Sequence, residues 1–273
     1  MNQHRRRNTI IALVLLIAIL VVVMIPYVWI ALTALKRQVD AAAVPPKILS
    51  PTSFKNFEKL FSGGFPGSLV NSVIITVSTT AGTLLLGVPA GYAFARGHFP
   101  GRRFLGGFLL FSRMMPPVIF IIPLFLFFHQ LRLIDTFQGM TLAYMTGLLP
   151  FAVWMSASYF ADLPIEIEEA ARVDGASRAR AFLVVLPLVM PGIITIGLLI
   201  AIASWSEYFI PFLLGGSKTT PATVGLVNFV GSDVIDWGQM AAASLTLVLP
   251  IVVLTLFAQR GMLRGLSAGA VKG

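Results

Sequence analysis

The chain has 273 residues, 57% of them hydrophobic and only 11% charged, with 20 Lys and Arg against 11 Asp and Glu. Soluble domains carry about 25% charged residues, so this composition cannot supply a water-exposed surface; the mean hydropathy of +0.88 agrees. Cysteine is absent, which excludes disulfide frameworks, thiolate metal sites and cysteine nucleophiles, and the net charge of +9 is read as the positive-inside bias of a membrane protein rather than a nucleic-acid surface.

Several apolar runs exceed the roughly 20 residues that cross a bilayer. They predict an all-α polytopic membrane protein with six transmembrane helices. Residues 1–8 are read as a cytoplasmic amino terminus and 9–273 as a single transmembrane domain. The first span, 9–35, follows the basic run His4-Arg5-Arg6-Arg7. It is too long for the apolar region of a secretory signal peptide, so it is read as a retained helix, with Pro26 as a possible kink. The second span is 69–95, where Gly87, Gly91 and Ala95 form a small-residue stripe suited to close helix packing. The third, 104–128, contains Pro116, Pro117 and Pro123. The fourth is 137–160, the fifth 188–210 and the sixth 240–258. All are continuously apolar, which fits helices and not the alternation of barrel strands.

Basic residues orient the bundle. With the amino terminus inside, Arg5, Arg6, Arg7, Arg96, Arg102, Arg103, Arg172, Arg178, Arg180, Arg260, Arg264 and Lys272 are cytoplasmic. Lys36, Arg37, Lys47, Lys55, Lys59, Arg132 and Lys218 are external. The bias places both termini in the cytoplasm.

Catalytic signatures are missing. His4, His98 and His129 lie in three separate segments without metal-ligand spacing, and no G-K-[ST] phosphate loop is present, so no cofactor and no metal are expected and any ATP must be handled by a partner. All acids fall in loops or near span ends, with Glu207 the nearest to a span interior, which argues against a gradient-driven carrier.

The internal loop 161–187 is different. Pro164 suits a first helical turn, Glu166, Glu168 and Glu169 favour its amino end, and Gly175 suits the left-handed residue that closes it. Ser177 can cap a second short helix, ended by Leu186-Pro187. At about 100° per residue, Ile167, Ala170, Ala171 and Asp174 share one face, while Glu168 and Arg172 form an i, i+4 pair on the other. On the residues alone two readings stand: a docking helix for a partner, or a helix lying on its own bundle or the lipid surface.

Glu169-Ala170-Ala171, Gly175 and Leu186-Pro187, with Val185 near an expected isoleucine, resemble the EAA loop of ABC importer permeases. The run from Glu168 to Ser177 is similar to the carbohydrate-importing branch, the relatives of the maltose-transporter permeases. Asn71-Ser72, Leu133-Ile134-Asp135-Thr136 and the closing 265–273 run agree. Trp205-Ser206-Glu207 departs from the Trp-Asn of that family.

The resemblance implies a non-catalytic permease in the bacterial cell membrane. Its implied partners are a second permease subunit, a dimeric ABC ATPase, an extracytoplasmic solute-binding protein, a carbohydrate substrate and membrane lipid. The ATPase would dock on the EAA helix, here Glu168, Glu169, Ala170, Ala171, Asp174 and Gly175. The external stretch 211–239, with Trp237 and Gly215-Gly216, would face the binding protein. The alternatives are a stand-alone secondary carrier or channel, and a membrane-bound enzyme, which lacks a catalytic constellation.

Arg113, Trp205 and Glu207 are the candidate substrate-path residues. Arg113 lies about 15 Å deep in its span. Either it satisfies carbonyls freed by Pro116-Pro117 or a group of the second permease, or it faces a cavity and binds sugar hydroxyls or an acidic group.

Overall fold

A computed structural model describes residues 3–48, 50–230 and 235–269. Its helices are α1 (Gln3–Ala34), α2 (Gln38–Ala41), α3 (Lys55–Ser62), α4 (Phe65–Arg96), α5 (Arg102–Met114), α6 (Pro117–Gln130), α7 (Phe137–Ala161), α8 (Glu166–Val173), α9 (Arg178–Trp205), α10 (Phe209–Leu214), α11 (Ala222–Gly225) and α12 (Trp237–Gly269). Among the described residues, five helices are long and apolar enough to span a membrane. A sixth span exists if α5 and α6 count as one, because they meet at a bend of 106°. The break follows from Pro116 and Pro117: the residue before a proline is driven out of the helical region, and Met115 is extended at φ −77°, ψ 132°.

The fifth span differs from its expected form. Leu186-Pro187 does not end a short helix; α9 runs unbroken from Arg178 through Pro187 and Pro191. A proline removes one N–H and crowds the carbonyl one turn earlier, and a helix packed among other spans tolerates that. The span also ends at Trp205 and not at 210. Glu207 Oε1 accepts from the N–H groups of Phe209 (2.9 Å) and Ile210 (3.3 Å), so its carboxylate starts α10 as a separate element. The stretch between the first two spans contains two short helices, α2 and α3.

The chain divides into two compact units. One comprises Met1–Pro66 with Leu226–Val248. Its polar knots lie between α1 and α3: Asn56 Nδ2 donates to the carbonyls of Ala34 (2.8 Å) and Lys36 (2.7 Å). Gln38 Nε2 donates to Ile235 O (2.7 Å), and Gly238 lies so close to Asn56 that a Cβ would meet its amide at 2.6 Å.

The other unit comprises Gly67–Gly225 with Leu249–Gly273. In it α7 packs on α9 and α5, α8 packs on α9, and α10 packs on α6 and α7. The small-residue stripe of α4 meets α7: a Cβ on Gly87 would lie 2.6 Å from Ala152 Cβ, and one on Gly91 2.5 Å from Ser156 Cβ. Lipid tails are as apolar as leucine, so such close approach is what van der Waals packing between spans requires. Val88, Phe160, Val185, Val189 and Ile193 form a buried cluster beneath α8. Ile75, Phe128, Met140, Ala143, Tyr144 and Leu214 form a second one.

Candidate functional site

α8 is a short helix with a defined C-terminal stop. Three acids, Glu166, Glu168 and Glu169, occupy its first turn and Arg172 its last, each sign matched to the helix dipole. Pro164 precedes the helix instead of entering its first turn; Ile165 is the flanking residue. At the other end Gly175 N–H donates to Arg172 O (3.0 Å) and Ala176 N–H to Ala171 O (2.9 Å). This is the Schellman pattern, and Gly175 takes the left-handed backbone it needs, with φ +88°. Ser177 Oγ then accepts from Arg180 N–H (3.3 Å) and starts α9.

The faces of α8 differ from the helical-wheel expectation. Ile167 is half-buried and packs against the cluster containing Phe160 and Val185. Ala171 is half-buried as well. Glu168 does not pair with Arg172 across the surface. It points inward at 6% exposure, where Arg96 Nε donates to its Oε1 (2.7 Å) and Tyr92 Oη to its Oε2 (2.8 Å). A buried carboxylate needs a charge partner and hydrogen bonds, and α4 supplies both. Arg96 Nη2 also donates to Leu163 O (2.8 Å). The exposed residues of α8 and its C-terminal flank are therefore Glu166, Glu169, Ala170, Arg172, Val173 and Asp174, with Val173 87% exposed.

The other candidates sit on separate elements. Arg113 lies in the last turn of α5; its Nη1 donates to Gly147 O (3.2 Å) and its Cζ stands 5.3 Å from the Phe151 ring centre. Both contacts lie on α7, beside Pro150, whose missing N–H leaves Thr146 O without its usual helical donor. Trp205 is buried at 6% exposure, so within this chain it is a packing residue and not a wall of an open path. Glu207 is half-buried and caps α10, while its carbonyl accepts from Thr223 Oγ1 (2.9 Å). Gly215-Gly216-Ser217 is pinned rather than loose: Gly216 N–H donates to Asp135 Oδ1 (3.0 Å). Trp237 opens α12. Residues 231–234 and 270–273, and all side chains beyond Phe257, lie outside the described residues; they include Arg260, Arg264, Lys272 and most of the closing run.

Residues 84–264 match the family of binding-protein-dependent transport system inner membrane components. The chain belongs to this family. Its members are transport subunits of the membrane, in keeping with the multi-pass helical fold. The trehalose transport system permease protein SugB of Mycobacterium tuberculosis (strain CDC 1551 / Oshkosh) is 35% identical over 92% of this chain and 93% of its own length. The trehalose/maltose transport system permease protein MalG of Thermococcus litoralis (strain ATCC 51850 / DSM 5473 / JCM 8560 / NS-C) is 30% identical over 93% of each chain. The fold is that of a solved bacterial ABC transporter involved in the import of the acidic polysaccharide alginate, with a TM-score of 0.80 at 24% identity over 95% of this chain and 98% of that one.

Sequence reasoning missed Tyr92 and Arg96 as partners of Glu168. The available signal was their i, i+4 spacing, which puts both on one face at the C-terminal end of α4.

Proposed function

We propose that this chain is one permease subunit of an ATP-driven carbohydrate importer, paired with a second permease, fed by an external solute-binding protein and powered by a dimeric ABC ATPase. The sugar class rests on the relatives, whose names specify trehalose, maltose and diacetylchitobiose. The observation that carries the mechanism is α8, a short helix between two spans that is closed at Gly175, with Glu169, Ala170, Val173 and Asp174 exposed. That face is the ATPase dock in this reading. Glu168 and Ala171 support it from behind, and Gly175 fixes the angle at which it leaves for α9.

Both termini lie in the cytoplasm, as the distribution of Lys and Arg favours. The chain hydrolyses no ATP itself, in keeping with the absence of a phosphate loop. Arg113 and Glu207 are the residues assigned to the sugar path, and Trp205 buttresses the end of α9.

The test is reconstitution with the ATPase, second permease and binding protein in proteoliposomes, with trehalose as first probe. Uptake that stops without ATP while a proton gradient persists supports the assignment. Uptake by this chain alone, driven by the gradient, would establish a stand-alone carrier.

A further inference from the structure

The junction of Glu168 with Arg96 and Tyr92 joins the cytoplasmic helix to a transmembrane span that is not its neighbour in sequence. Seventy-two positions separate Arg96 from Glu168. α8 is already tied to α9 through the Schellman turn at Gly175 and the Ser177 cap. The link to α4 is a second, independent attachment at the opposite half of the helix.

Its build is that of a joint and not of a surface pair. Both carboxylate oxygens are used, one by a guanidinium and one by a phenol. The guanidinium also grips Leu163 O, in the segment that leads into α8. Tyr92 is held edge-on to Phe160 (centroids 5.2 Å apart) and tilted against Phe182 (5.0 Å), residues of α7 and α9. Hydrogen bonds are directional, and a charge left here without its partner is strongly unfavourable. Apolar contacts alone would let α8 slide over α4; this pair does not.

We infer that Glu168 is a positioning residue that locks α8 to α4 through Arg96 and Tyr92, so that a push on α8 moves α4 and α9 as one body. The inference rests on the reading of α8 as the ATPase dock. It separates two acids that the sequence places side by side: Glu169 faces the partner, and Glu168 transmits what the partner does.

The natural chain has no cysteine, so a label pair can be placed freely. Arg172→Cys on α8 and Val77→Cys on α4, both at exposed positions, carry spin labels in the assembled importer. The distance between them is measured without nucleotide and with ADP and vanadate. The wild-type complex should give one narrow distance in both states. Glu168→Gln should shift or broaden it in the nucleotide state, because α8 then moves without α4. The charge-swapped pair Arg96→Glu with Glu168→Arg should restore the narrow distance. An assembled Glu168→Gln complex with the wild-type distance in both states overturns the joint. If that variant does not assemble, Arg96→Lys gives the same reading, since it keeps the charge but loses the forked grip on Leu163 and Glu168. A wild-type chain that captures no ATPase overturns the dock itself, a different result from a captured ATPase with an indifferent Glu168.

Discussion

Thr219 donates both its backbone N–H (3.0 Å) and its hydroxyl (2.8 Å) to the same oxygen of Asp135, across 84 residues of chain. Gly216 and Lys218 add their N–H groups to the same carboxylate, and Asp135 N–H returns a bond to Leu214 O (2.9 Å). Asn71 Nδ2 holds the carbonyls of Lys218 and Thr220 from the other side. One acid in the α6–α7 turn thus fixes the shape of the turn that follows α10.

Asp135→Asn tests that clamp. Burial pushes the Asp135 carboxyl up, but the Thr219 hydroxyl and the N–H groups of Lys218, Thr219 and Gly216 outweigh it and hold it below the usual carboxylate range. A depressed folded value means the contribution is full above the unfolded value, about 3.9, and lost as pH falls through the folded one. Hydrogen bonds to a charged acceptor contribute about 1.5–3 kcal/mol net, and part of that survives in the amide. The variant should therefore melt lower than wild type in detergent at pH 7, by about 1–2 kcal/mol. The gap should close as pH falls from the unfolded value through the lower folded one. A gap that is constant with pH would mean the carboxylate charge is not what holds the turn.

Gly175 gives a sharper backbone test. Nothing lies within 4 Å of where its Cβ would be, so a substitution there meets no neighbour and only the left-handed φ of +88° resists it. An ordinary residue in that region costs roughly 1–2 kcal/mol, and asparagine less. Gly175→Val should lower ATP-linked uptake strongly, and Gly175→Asn should keep most of it. Equal loss in both would point to a contact with the glycine itself instead of its conformation.

How much of this was legible beforehand varies by element. The apolar segments, the loop helix and its left-handed glycine follow from composition and local chemistry, and among the described residues the structure has five long apolar helices, a bent pair in place of the third segment, and α8 closed at Gly175. The faces of α8 do not follow, because a helical wheel ranks residues by polarity and would never turn Glu168 inward. Only the arrival of Arg96 and Tyr92 from α4 makes that burial favourable, and their i, i+4 spacing marks a shared face without naming the acid that meets it. Pro187 misled for a related reason: proline ends helices in water, whereas inside a packed bundle α9 carries two of them. Asp135 was visible only as part of a family-like run, since its donors lie more than eighty positions away.

Ala170 and Ala171 discriminate between the expected and observed faces. Ala170 is exposed and Ala171 half-buried against its own bundle. Ala170→Glu should leave the isolated chain as stable as wild type, within about 0.5 kcal/mol, yet abolish co-purification with the ATPase. Ala171→Glu should lower the melting temperature of the chain itself, because the new charge enters a partly buried site. The reverse pattern would show that α8 docks through the face that the structure turns inward.

Arg113 decides between the two roles open to it. Its contacts, one carbonyl at 3.2 Å and one ring at 5.3 Å, leave the guanidinium exposed in this chain. A cation–π contact at an exposed site contributes about 0.5–1 kcal/mol, so the fold does not depend on it. A guanidinium that only caps the α7 carbonyl is replaceable by an uncharged donor. One that meets the sugar is not, because sugar hydroxyls are bound more strongly by a charged, forked donor than by an amide. Arg113→Gln should assemble with its partners and melt within about 1 kcal/mol of wild type. In the substrate role it should keep ATPase stimulation by the loaded binding protein while uptake falls at least tenfold, and Arg113→Lys should recover part of the uptake. If Arg113→Gln transports at the wild-type rate, the arginine serves the α7 backbone at Gly147 and not carbonyls freed by Pro116-Pro117. If it no longer assembles, the guanidinium pairs with the second permease instead of the sugar.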